Sequence, residues 1–447
     1  MPTDLTKIFK AYDIRGVYPN EWDESSARRI GWAFARFAGG EKIVMGRDMR
    51  TSSPSLSEAF SEGVRSLGVS VIDLGEVSTD ALYFASGKLG LPGAMFTASH
   101  NPGRYNGLKV CKAGAAPIGG DSGLSDILDL AQSEEAASGK PTGGREAIDI
   151  LGAYSEHCKS FVDLGAFKPL KVAIDAGNGM AGKTVPLVFK SLPFEVTPLF
   201  FELDGTFPNH PANPIEPENL VDLQRAVVEN GCDVGIAFDG DADRMFLVDE
   251  KTRLVQGSTT TALVAERLLK KNPGESVLYN LICSWTVPEV IKENGGVPIR
   301  TRVGHSFIKE IMAETGAIFG GEHSGHYYFR DNYRADSGMV AALLVLEALC
   351  ESGQPLSEMT EAFHRYAASG EINSEVTNQN ATIEKLAATF SDGKQDRVDG
   401  LTVQFEDWWF NCRASNTEPL LRLNLEARTQ SLMEEKLATT LGIIRAN

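Results

Sequence analysis

The sequence lacks the long apolar runs that would place it in a membrane or in a secretory route. Its longest apolar segment, residues 339–349, is too short to span a bilayer and contains Glu347. Residues 1–16 have no apolar stretch of the kind that a secretory signal peptide requires. These absences predict a protein that neither crosses a membrane nor is secreted.

Cysteine is scarce and shows no functional spacing. The six cysteines include no C-x-x-C pair and no zinc-like arrangement, and they are Cys111, Cys158, Cys232, Cys283, Cys350 and Cys412. A reducing cytoplasm is therefore the expected location.

Positive charge is also in short supply, because 43 Lys and Arg residues face 60 Asp and Glu residues and leave a net charge of −17. Such a surface excludes general binding to nucleic acid or to an acidic membrane. A phosphate ligand needs only a local cationic pocket and stays open. The remaining composition, 42% hydrophobic and 23% charged, is ordinary for a globular protein.

The length of 447 residues predicts about three domains, with a fourth allowed, at about 150 residues per domain. Helical and strand periodicities alternate along much of the chain, which indicates α/β layers. Polar, Gly-rich passages and the starts of new periodic units predict domains at residues 1–153, 154–252, 253–365 and 366–447.

What the sequence does contain is a set of polar loops that follow apolar strands. The apolar run at residues 94–96 stops at Thr97, and turn residues then present Ser99 beside His100 before Pro102. A hydroxyl beside an imidazole indicates a nucleophile and its proton partner. A turn in which Ser99 only hydrogen-bonds locally is the alternative.

A second loop concentrates negative charge. The predicted strand at residues 233–238 runs into D-G-D-A-D-R, where Asp239, Asp241 and Asp243 would repel one another. A hard divalent cation such as Mg²⁺ or Ca²⁺ would resolve that conflict. The spacing mimics an EF-hand, but Arg244 stands where that loop requires glycine, and strands rather than helices flank it. A solvated acidic turn is the alternative.

A third loop, residues 320–326, follows another apolar run. Glu322, Ser324 and His326 alternate in it, so an extended loop would point all three to one side, toward the hydroxyls of a ligand. A polar surface loop is equally compatible with these residues.

A fourth loop, residues 413–419, follows the aromatic run 408–410. It crowds hydrogen-bond donors together in a way that suits a phosphate, and the donors are Arg413, Ser415, Asn416 and Thr417. As an isolated turn it would be unremarkable.

A rival hypothesis comes from the segment after the predicted strand 171–175. Gly177, Gly182, Lys183 and Thr184 satisfy the P-loop pattern G-x-x-x-x-G-K-[ST], which would make this an NTP-hydrolysing domain. The alternative is an ordinary strand-to-helix connection, which is common in α/β folds. A further alternative is a sugar-phosphate binding protein without catalysis.

The four loops lie about 80 to 140 residues apart, which is about one loop per predicted domain. Ligands of open α/β sheets bind beyond the carboxyl ends of the strands, so the loops are expected to converge on one cleft. Together the loops would supply a nucleophilic hydroxyl, a metal site, residues that bind the hydroxyl groups of a ligand and residues that bind a phosphate. This combination suits a phosphorylated sugar.

Taken together, the motifs resemble the α-D-phosphohexomutase superfamily, and within it the bacterial phosphomannomutases, including the bifunctional phosphomannomutase/phosphoglucomutase type. They occur in the family order across nearly the whole chain, as YDIRG at 12–16, TASHNP at 97–102, DGDADR at 239–244, GEHSGH at 321–326 and RASNTEP at 413–419. The resemblance implies three related α/β/α domains with mixed sheets and a smaller α+β C-terminal domain, arranged around a central cleft.

The resemblance also implies a reaction. Ser99 would work as phosphoserine and hold Mg²⁺ together with Asp239, Asp241 and Asp243. Its phosphoryl group would pass to a hexose 1- or 6-phosphate and give a bound hexose 1,6-bisphosphate, which serves as intermediate and activator. The expected enzyme is an isomerase that interconverts mannose 1-phosphate and mannose 6-phosphate. Phosphoglucomutase or bifunctional activity is the alternative, and phosphoglucosamine mutase is less favoured.

Site roles follow from the same resemblance. The residues expected to be catalytic are Ser99, His100, Lys109, Arg15, Arg244 and His326, and Arg15, Lys109 and Arg244 would surround the transferred phosphate. The residues expected to bind substrate are Tyr12, His305, Glu322, Ser324, His326, Arg413, Ser415, Asn416 and Thr417. The proton carrier stays open among His100, Lys109 and His326. The chain departs from the family pattern at Trp285, where related phosphomannomutases often carry Arg. A monomer or weak homodimer is expected, with a hexose phosphate as its ligand.

Overall fold

The computed structural model describes residues 4–137, 139–414 and 420–446, and these residues form four sheets that follow one another along the chain. The first three sheets mix parallel and antiparallel strands and pack against helices, whereas the fourth is antiparallel. The predicted α/β class with three α/β/α domains and a smaller α+β C-terminal domain is confirmed.

The first domain carries the largest sheet. Its strands are β1 (Ile14–Val17), β2 (Lys42–Arg47), β3 (Ser70–Glu76), β4 (Gly93–Phe96), β5 (Tyr105–Lys112), β6 (Ala116–Pro117) and β7 (Arg145–Ala147). Its helices are α1 (Glu24–Ala38), α2 (Ser53–Arg65), α3 (Thr79–Leu89) and α4 (Leu124–Gln132). The strand order is β1-β5-β4-β2-β3-β7, with β6 beside β5, and β4 is parallel to β2 but antiparallel to β5.

The second domain repeats this mixture on a smaller scale. Its helices are α5 (Leu151–Lys159), α6 (Ala181–Phe189) and α7 (Val221–Asn230). Its strands are β8 (Leu170–Asp175), β9 (Phe194–Leu199), β10 (Val234–Phe238), β11 (Met245–Asp249) and β12 (Leu254–Val255), in the order β12-β11-β10-β8-β9. β12 lies beyond the predicted boundary at residue 252 but pairs with β11. The four domain boundaries stay predictions.

The third domain has the strand order β14-β13-β15-β16. These strands are β13 (Ser276–Asn280), β14 (Val297–Thr301), β15 (Phe319–Gly321) and β16 (Tyr327–Phe329). The helices are α8 (Gly257–Lys271), α9 (Thr286–Glu293), α10 (His305–Thr315), α11 (Gly338–Ser352) and α12 (Leu356–Met359).

The C-terminal domain is an antiparallel sheet covered by two helices within the described residues, α13 (Gln379–Thr389) and α14 (Gln430–Arg445). Its strands are β17 (Ala367–Glu375), β18 (Lys394–Asp396), β19 (Leu401–Gln404), β20 (Trp408–Ala414) and β21 (Leu420–Ala427), in the order β17-β21-β20-β19-β18.

The same hairpin places a polar loop in each of the first three domains. In each sheet a strand with a parallel neighbour turns back into an antiparallel partner, from β4 to β5, from β10 to β11 and from β15 to β16. Three of the polar loops are these turns, so each lies at the carboxyl end of a parallel strand. Ligands of open α/β sheets bind at that edge.

Helix α11 joins the second and third domains. It packs against α5, α8 and β11, and nearly all its residues are buried. Its acidic residue, Glu347, is 0% exposed but pairs with Arg267 and Lys271, each at 3.0 Å, which compensates for its burial. No single helix in the described ranges has the length and apolarity to cross a membrane, and the pair Gly338–Ser352 and Leu356–Phe363 satisfies these criteria only jointly, with a 95° bend between its members.

The close packing of α1 and α2 depends on glycine. A Cβ at Gly63 would lie 1.9 Å from the carbonyl oxygen of Arg28. We therefore expect Gly63→Ala to destabilise the first domain by about 1–3 kcal/mol, because the helices must separate. Thermal unfolding should show a lower melting temperature. Gly442 in α14 is the control, since a methyl group added there would have nothing within 4 Å. Gly442→Ala should raise the melting temperature or leave it unchanged. A melting temperature of Gly63→Ala equal to that of the wild type would contradict the close contact.

Candidate active site

Ser99 lies in the turn from β4 to β5, with its backbone in the left-handed region at φ 50°. Its N–H donates to Thr97 Oγ1 at 2.9 Å, and its carbonyl accepts from the buried guanidinium of Arg50 at 2.7 Å. A non-glycine residue in this conformation costs about 1–3 kcal/mol, so the turn persists because such bonds fix it. Ser99 is thereby held at the domain surface that meets the second domain.

The Ser99 hydroxyl contacts the acidic loop between β10 and β11. Its Oγ donates to Asp239 Oδ2 at 2.6 Å. Lys109, from β5 in the first domain, donates to Asp241 at 2.7 Å and to Asp243 at 2.5 Å. Two domains therefore build one site from the residues that the sequence predicted would meet.

The three aspartates form a buried cluster that suits a divalent cation. One oxygen of each lies within 4.8 Å of the others, and each residue is at most 1% exposed. Oδ1 of Asp241 and Oδ1 of Asp243 have no hydrogen-bond partner among the described residues. Buried carboxylate oxygens are costly to leave unpaired, and they are the donors that hard cations prefer. The residues present fit a divalent metal ion.

The charges in this cluster are unequal. Burial and the neighbouring Asp241 carboxylate raise the pKa of Asp239 to about 7. Burial disfavours the charged forms of Asp241 and Lys109, but the attraction between these two charges is stronger. The pKa of Asp241 is therefore lowered, and the pKa of Lys109 is raised well above its usual value. Lys109 therefore keeps its proton near neutral pH.

Thr79, the first residue of α3, fastens the acidic loop to the first domain. Its hydroxyl donates to Asp241 Oδ2 at 2.6 Å, and its backbone N–H donates to the Asp241 carbonyl at 3.0 Å. Thr79 is 0% exposed. Both bonds cross the domain boundary and fix the orientation of the Asp241 carboxylate.

Two arginines flank the serine loop. Arg15, on β1, donates to Asn101 at 2.6 Å, and Arg244 approaches from the second domain, where its Nε lies 3.6 Å from Asp239. Burial, followed by the charges of Arg244 and Arg15, lowers the pKa of His100 well below its usual value. His100 is therefore neutral near pH 7, with Nδ1 3.2 Å from the Ser99 hydroxyl.

The third loop is not extended. The condition under which Glu322, Ser324 and His326 would point to one side is therefore not met, because the N–H of Gly325 donates to the Glu322 carbonyl at 3.1 Å and the backbone turns. The turn still brings the side chains together. Nδ1 of His326 lies 3.1 Å from Ser324 Oγ and 3.6 Å from the Glu322 carboxylate, while Nε2 lies 3.7 Å from Asp243.

Glu322 is held firmly in place. Its carboxylate accepts hydrogen bonds from the Tyr328 hydroxyl at 2.8 Å, the Gly304 N–H at 3.1 Å and Asn280 at 3.2 Å. Burial raises its pKa even though these bonds favour the charged form. The position of this acidic side chain is therefore set by the protein.

The fourth loop is described in part. Arg413, near the end of β20, donates to Glu371 at 2.9 Å. Ser415, Asn416 and Thr417 lie outside the described residues. His305 begins α10, and its side chain lies outside the described parts of the structure.

Tyr12 faces the same cleft from the first domain. Its hydroxyl donates to the Val303 carbonyl at 3.3 Å, and its ring packs edge-on against Phe307. Burial raises the pKa of Tyr12, and the charges that act on it include Glu322 of the third domain and Arg413 of the C-terminal domain. Residues from three domains thus lie within electrostatic reach of one another.

The segment with the P-loop pattern has a structural role. Lys183 Nζ donates to the Glu76 carbonyl at 2.8 Å, and the Thr184 hydroxyl donates to the Met180 carbonyl within its own helix at 3.3 Å. A Cβ at Gly179 would lie 2.6 Å from the Gly240 carbonyl oxygen. This loop therefore supports the acidic loop, and its lysine and threonine already bind backbone carbonyls.

Sequence reasoning missed Thr79, Arg50 and Asp336. The Asp336 carboxylate pairs with Lys309 at 2.7 Å and lies 3.9 Å from His326. Thr79 and Arg50 each follow a parallel strand of the first sheet, so the strand-end rule that found Ser99 also applies to them. Asp336 stands in a loop that carried no such signal.

Comparison with known proteins finds one family along the chain. Family models match in order as phosphoglucomutase/phosphomannomutase alpha/beta/alpha domain I at residues 6–138, domain II at 152–253, domain III at 256–366 and the C-terminal domain at 371–440.

Individual relatives match over nearly their full length. A protein named phosphohexose mutases from Xanthomonas campestris pv. campestris is 43% identical over 431 residues, with 96% of each chain covered. A phosphomannomutase from Escherichia coli strain K12 is 42% identical, with 98% of each covered. The crystal structure of a phosphoglucomutase/phosphomannomutase family protein from Burkholderia thailandensis is 34% identical, with 98% of each chain covered and a TM-score of 0.88.

The contact between Thr79 and Asp241 predicts an effect on metal affinity. Thr79→Val keeps the side-chain shape but removes the hydroxyl that orients Asp241, so affinity for a divalent cation should fall about tenfold. Titration calorimetry with Mg²⁺ or Mn²⁺ measures it.

Thr79→Ser supplies the matched control, since it retains the hydroxyl and should bind the ion almost as the wild type does. Unchanged affinity in Thr79→Val, or an equal loss in both variants, would count against the orienting role.

Proposed function

The chain belongs to the phosphoglucomutase/phosphomannomutase family, whose mutases are isomerases that move a phosphoryl group within a substrate, and on that premise we propose that it interconverts mannose 1-phosphate and mannose 6-phosphate with Ser99 as the phosphoryl carrier. The observation that carries the proposal is the 2.6 Å contact between the Ser99 hydroxyl and Asp239. It sets the Ser99 hydroxyl against a buried carboxylate cluster and among cations.

Ser99 carries the phosphoryl group between the two ends of the sugar. The bond from phosphorus to Ser99 Oγ breaks as a bond to the free hydroxyl of the hexose monophosphate forms; the hydroxyl proton passes to a base, and the leaving Ser99 oxygen takes up a proton. The product is a hexose 1,6-bisphosphate. After it turns round in the cleft, its other phosphoryl group returns to Ser99, which gives up its proton, and the released sugar oxygen takes the proton back from the base to give the isomeric monophosphate.

Cations around Ser99 compensate for the charge of the transferred group. Arg15, Lys109 and Arg244 come from two domains and converge on the serine loop. Lys109 keeps its proton because two aspartates hold it, so it serves as a fixed charge. Catalysis of phosphoryl transfer rests mainly on positioning and on electrostatic stabilisation by such groups.

Asp239, Asp241, Asp243 and the Ser99 oxygen would hold Mg²⁺. When bound, that ion neutralises charge on the transferring phosphoryl group. The aspartates and Lys109 keep the ligand oxygens in place, and Thr79 orients one of them.

His326 is the proton carrier that the contacts favour. His100 lies against the carrier oxygen itself, at 3.2 Å from Ser99 Oγ, and Lys109 stays protonated. His326 instead lies on the loop with Glu322 and Ser324, which would read the sugar hydroxyls. Its Nε2 lies 3.7 Å from Asp243, so it would lie between a sugar bound at that loop and the acidic cluster, where a hydroxyl proton must be accepted.

The phosphate that is not transferred would be bound by Arg413, Ser415, Asn416 and Thr417. Tyr12 and His305 would complete the cleft around the substrate. Mannose is the proposed sugar because the relatives at about two-fifths identity include proteins named phosphomannomutase. Glucose 1-phosphate is the second substrate class to test.

Replacement of the carrier gives the direct test. With mannose 1-phosphate, Mg²⁺ and a trace of hexose 1,6-bisphosphate, the wild type should form mannose 6-phosphate. Ser99→Ala should fall below about one thousandth of that rate, because it removes the oxygen to which the phosphoryl group is attached. A coupled assay of the 6-phosphate measures both.

Lys183→Ala is the control, and its mutase rate should match the wild type. ATP hydrolysis that Lys183→Ala abolishes would support the NTPase instead, and substrate binding with no turnover would support a binding protein. A higher kcat/KM on glucose 1-phosphate than on mannose 1-phosphate would contradict the choice of sugar.

A further inference from the structure

Glu426 is a buried acidic residue at the contact between the third and C-terminal domains. It lies on β21 opposite Trp409 of β20 and is 2% exposed. Its Oε1 accepts hydrogen bonds from the Ser284 hydroxyl at 3.1 Å and from the Trp285 N–H at 3.2 Å, both in the third domain. The described residues place no Lys, Arg or His within ion-pair distance of it.

The segment that Glu426 contacts leads to the third loop. The Ser284 N–H donates to Ser258 Oγ at 3.2 Å, and that hydroxyl lies 3.0 Å from Nδ1 of His323. A continuous polar chain therefore joins Glu426 in the C-terminal domain to the loop that carries Glu322 and Ser324.

Aromatic side chains reinforce the same contact. The ring of Trp285 lies 6.4 Å from that of Trp409 and 5.4 Å from that of Tyr366, centroid to centroid. This explains the Trp at a position where the sequence departs from the family pattern: it packs against the C-terminal domain.

The C-terminal sheet connects this contact to the fourth loop, residues 413–419, which would bind the phosphate that is not transferred. Side chains alternate along a strand, so Trp409 and Arg413 lie on the same face of β20, about 13 Å apart at 3.3 Å per residue. The strand is rigidly paired with β19 and β21. The position of Arg413 relative to His323 therefore depends on how the Glu426 end is docked.

We propose that Glu426 is a positioning residue that docks the C-terminal sheet onto the third domain. It thereby sets the distance between Arg413 and the third loop, residues 320–326, which would bind the sugar hydroxyls. The inference rests on the proposed function for the roles of those two elements. Burying a carboxylate without an ion-pair partner is costly, so its two hydrogen bonds to the third domain are needed to hold the docked arrangement.

The test compares Glu426→Ala with Glu426→Gln, which keeps an acceptor oxygen. If docking supports ground state and transition state alike, Glu426→Ala should raise KM for mannose 1-phosphate about tenfold with kcat nearly unchanged, and Glu426→Gln should recover most of the loss. Glu375→Ala, an exposed carboxylate on the same sheet, should match the wild type.

A second readout does not depend on turnover. Hydrogen exchange of the Trp285 amide, followed by mass spectrometry of peptides over residues 281–290, should be faster in Glu426→Ala than in Glu426→Gln or the wild type, because that N–H donates to Glu426. It reports docking even if the protein proves to have no mutase activity.

Unchanged KM and unchanged exchange in Glu426→Ala would overturn the proposal. So would a parallel fall of kcat and melting temperature in both Glu426 variants, which would mark a purely structural residue.

Discussion

Holding three carboxylates together out of water is the condition on which the rest of this structure depends. Two like charges 4 Å apart repel by about 4 kcal/mol at an effective dielectric constant of 20, so the cluster needs compensation. Lys109 and the hydroxyls of Ser99 and Thr79 supply part of it. All three belong to the first domain, whereas the aspartates belong to the second. The site is therefore completed only where the two domains pack.

Because the same hairpin occurs in each of the first three domains, their polar loops are brought together around one cleft. Each of the first three sheets ends a parallel strand in a turn that carries polar residues, and the packing of the domains points these turns at one another. The C-terminal domain has a different sheet and reaches the cleft through β20 and β21. Its contacts with the third domain include the polar pair of Glu426 and Ser284, whereas α11 is buried between the second and third domains. Docking of the C-terminal sheet therefore depends in part on a buried carboxylate without an ion-pair partner among the described residues.

Much of the fold and the main loops could be predicted because their signals are local. Asp239, Asp241 and Asp243 are close in sequence, and Ser99 follows an apolar strand, so pattern alone indicated chemistry. Thr79 and Glu426 act across domain boundaries through single side chains, and no local pattern marks such a partner. The shape of the third loop could not be predicted, because alternation in sequence cannot distinguish an extended segment from a turn in which the Gly325 N–H donates to the Glu322 carbonyl.

The central claim is that Ser99 carries the phosphoryl group, and isotope transfer tests it most directly. The wild-type protein would be incubated with Mg²⁺ and hexose 1,6-bisphosphate that carries radioactive phosphate, then digested and analysed by mass spectrometry. The account predicts label on the peptide that contains Ser99, and transfer of that label to sugar when unlabelled mannose 1-phosphate is added. Label on another residue, or turnover without any labelled peptide, would contradict it.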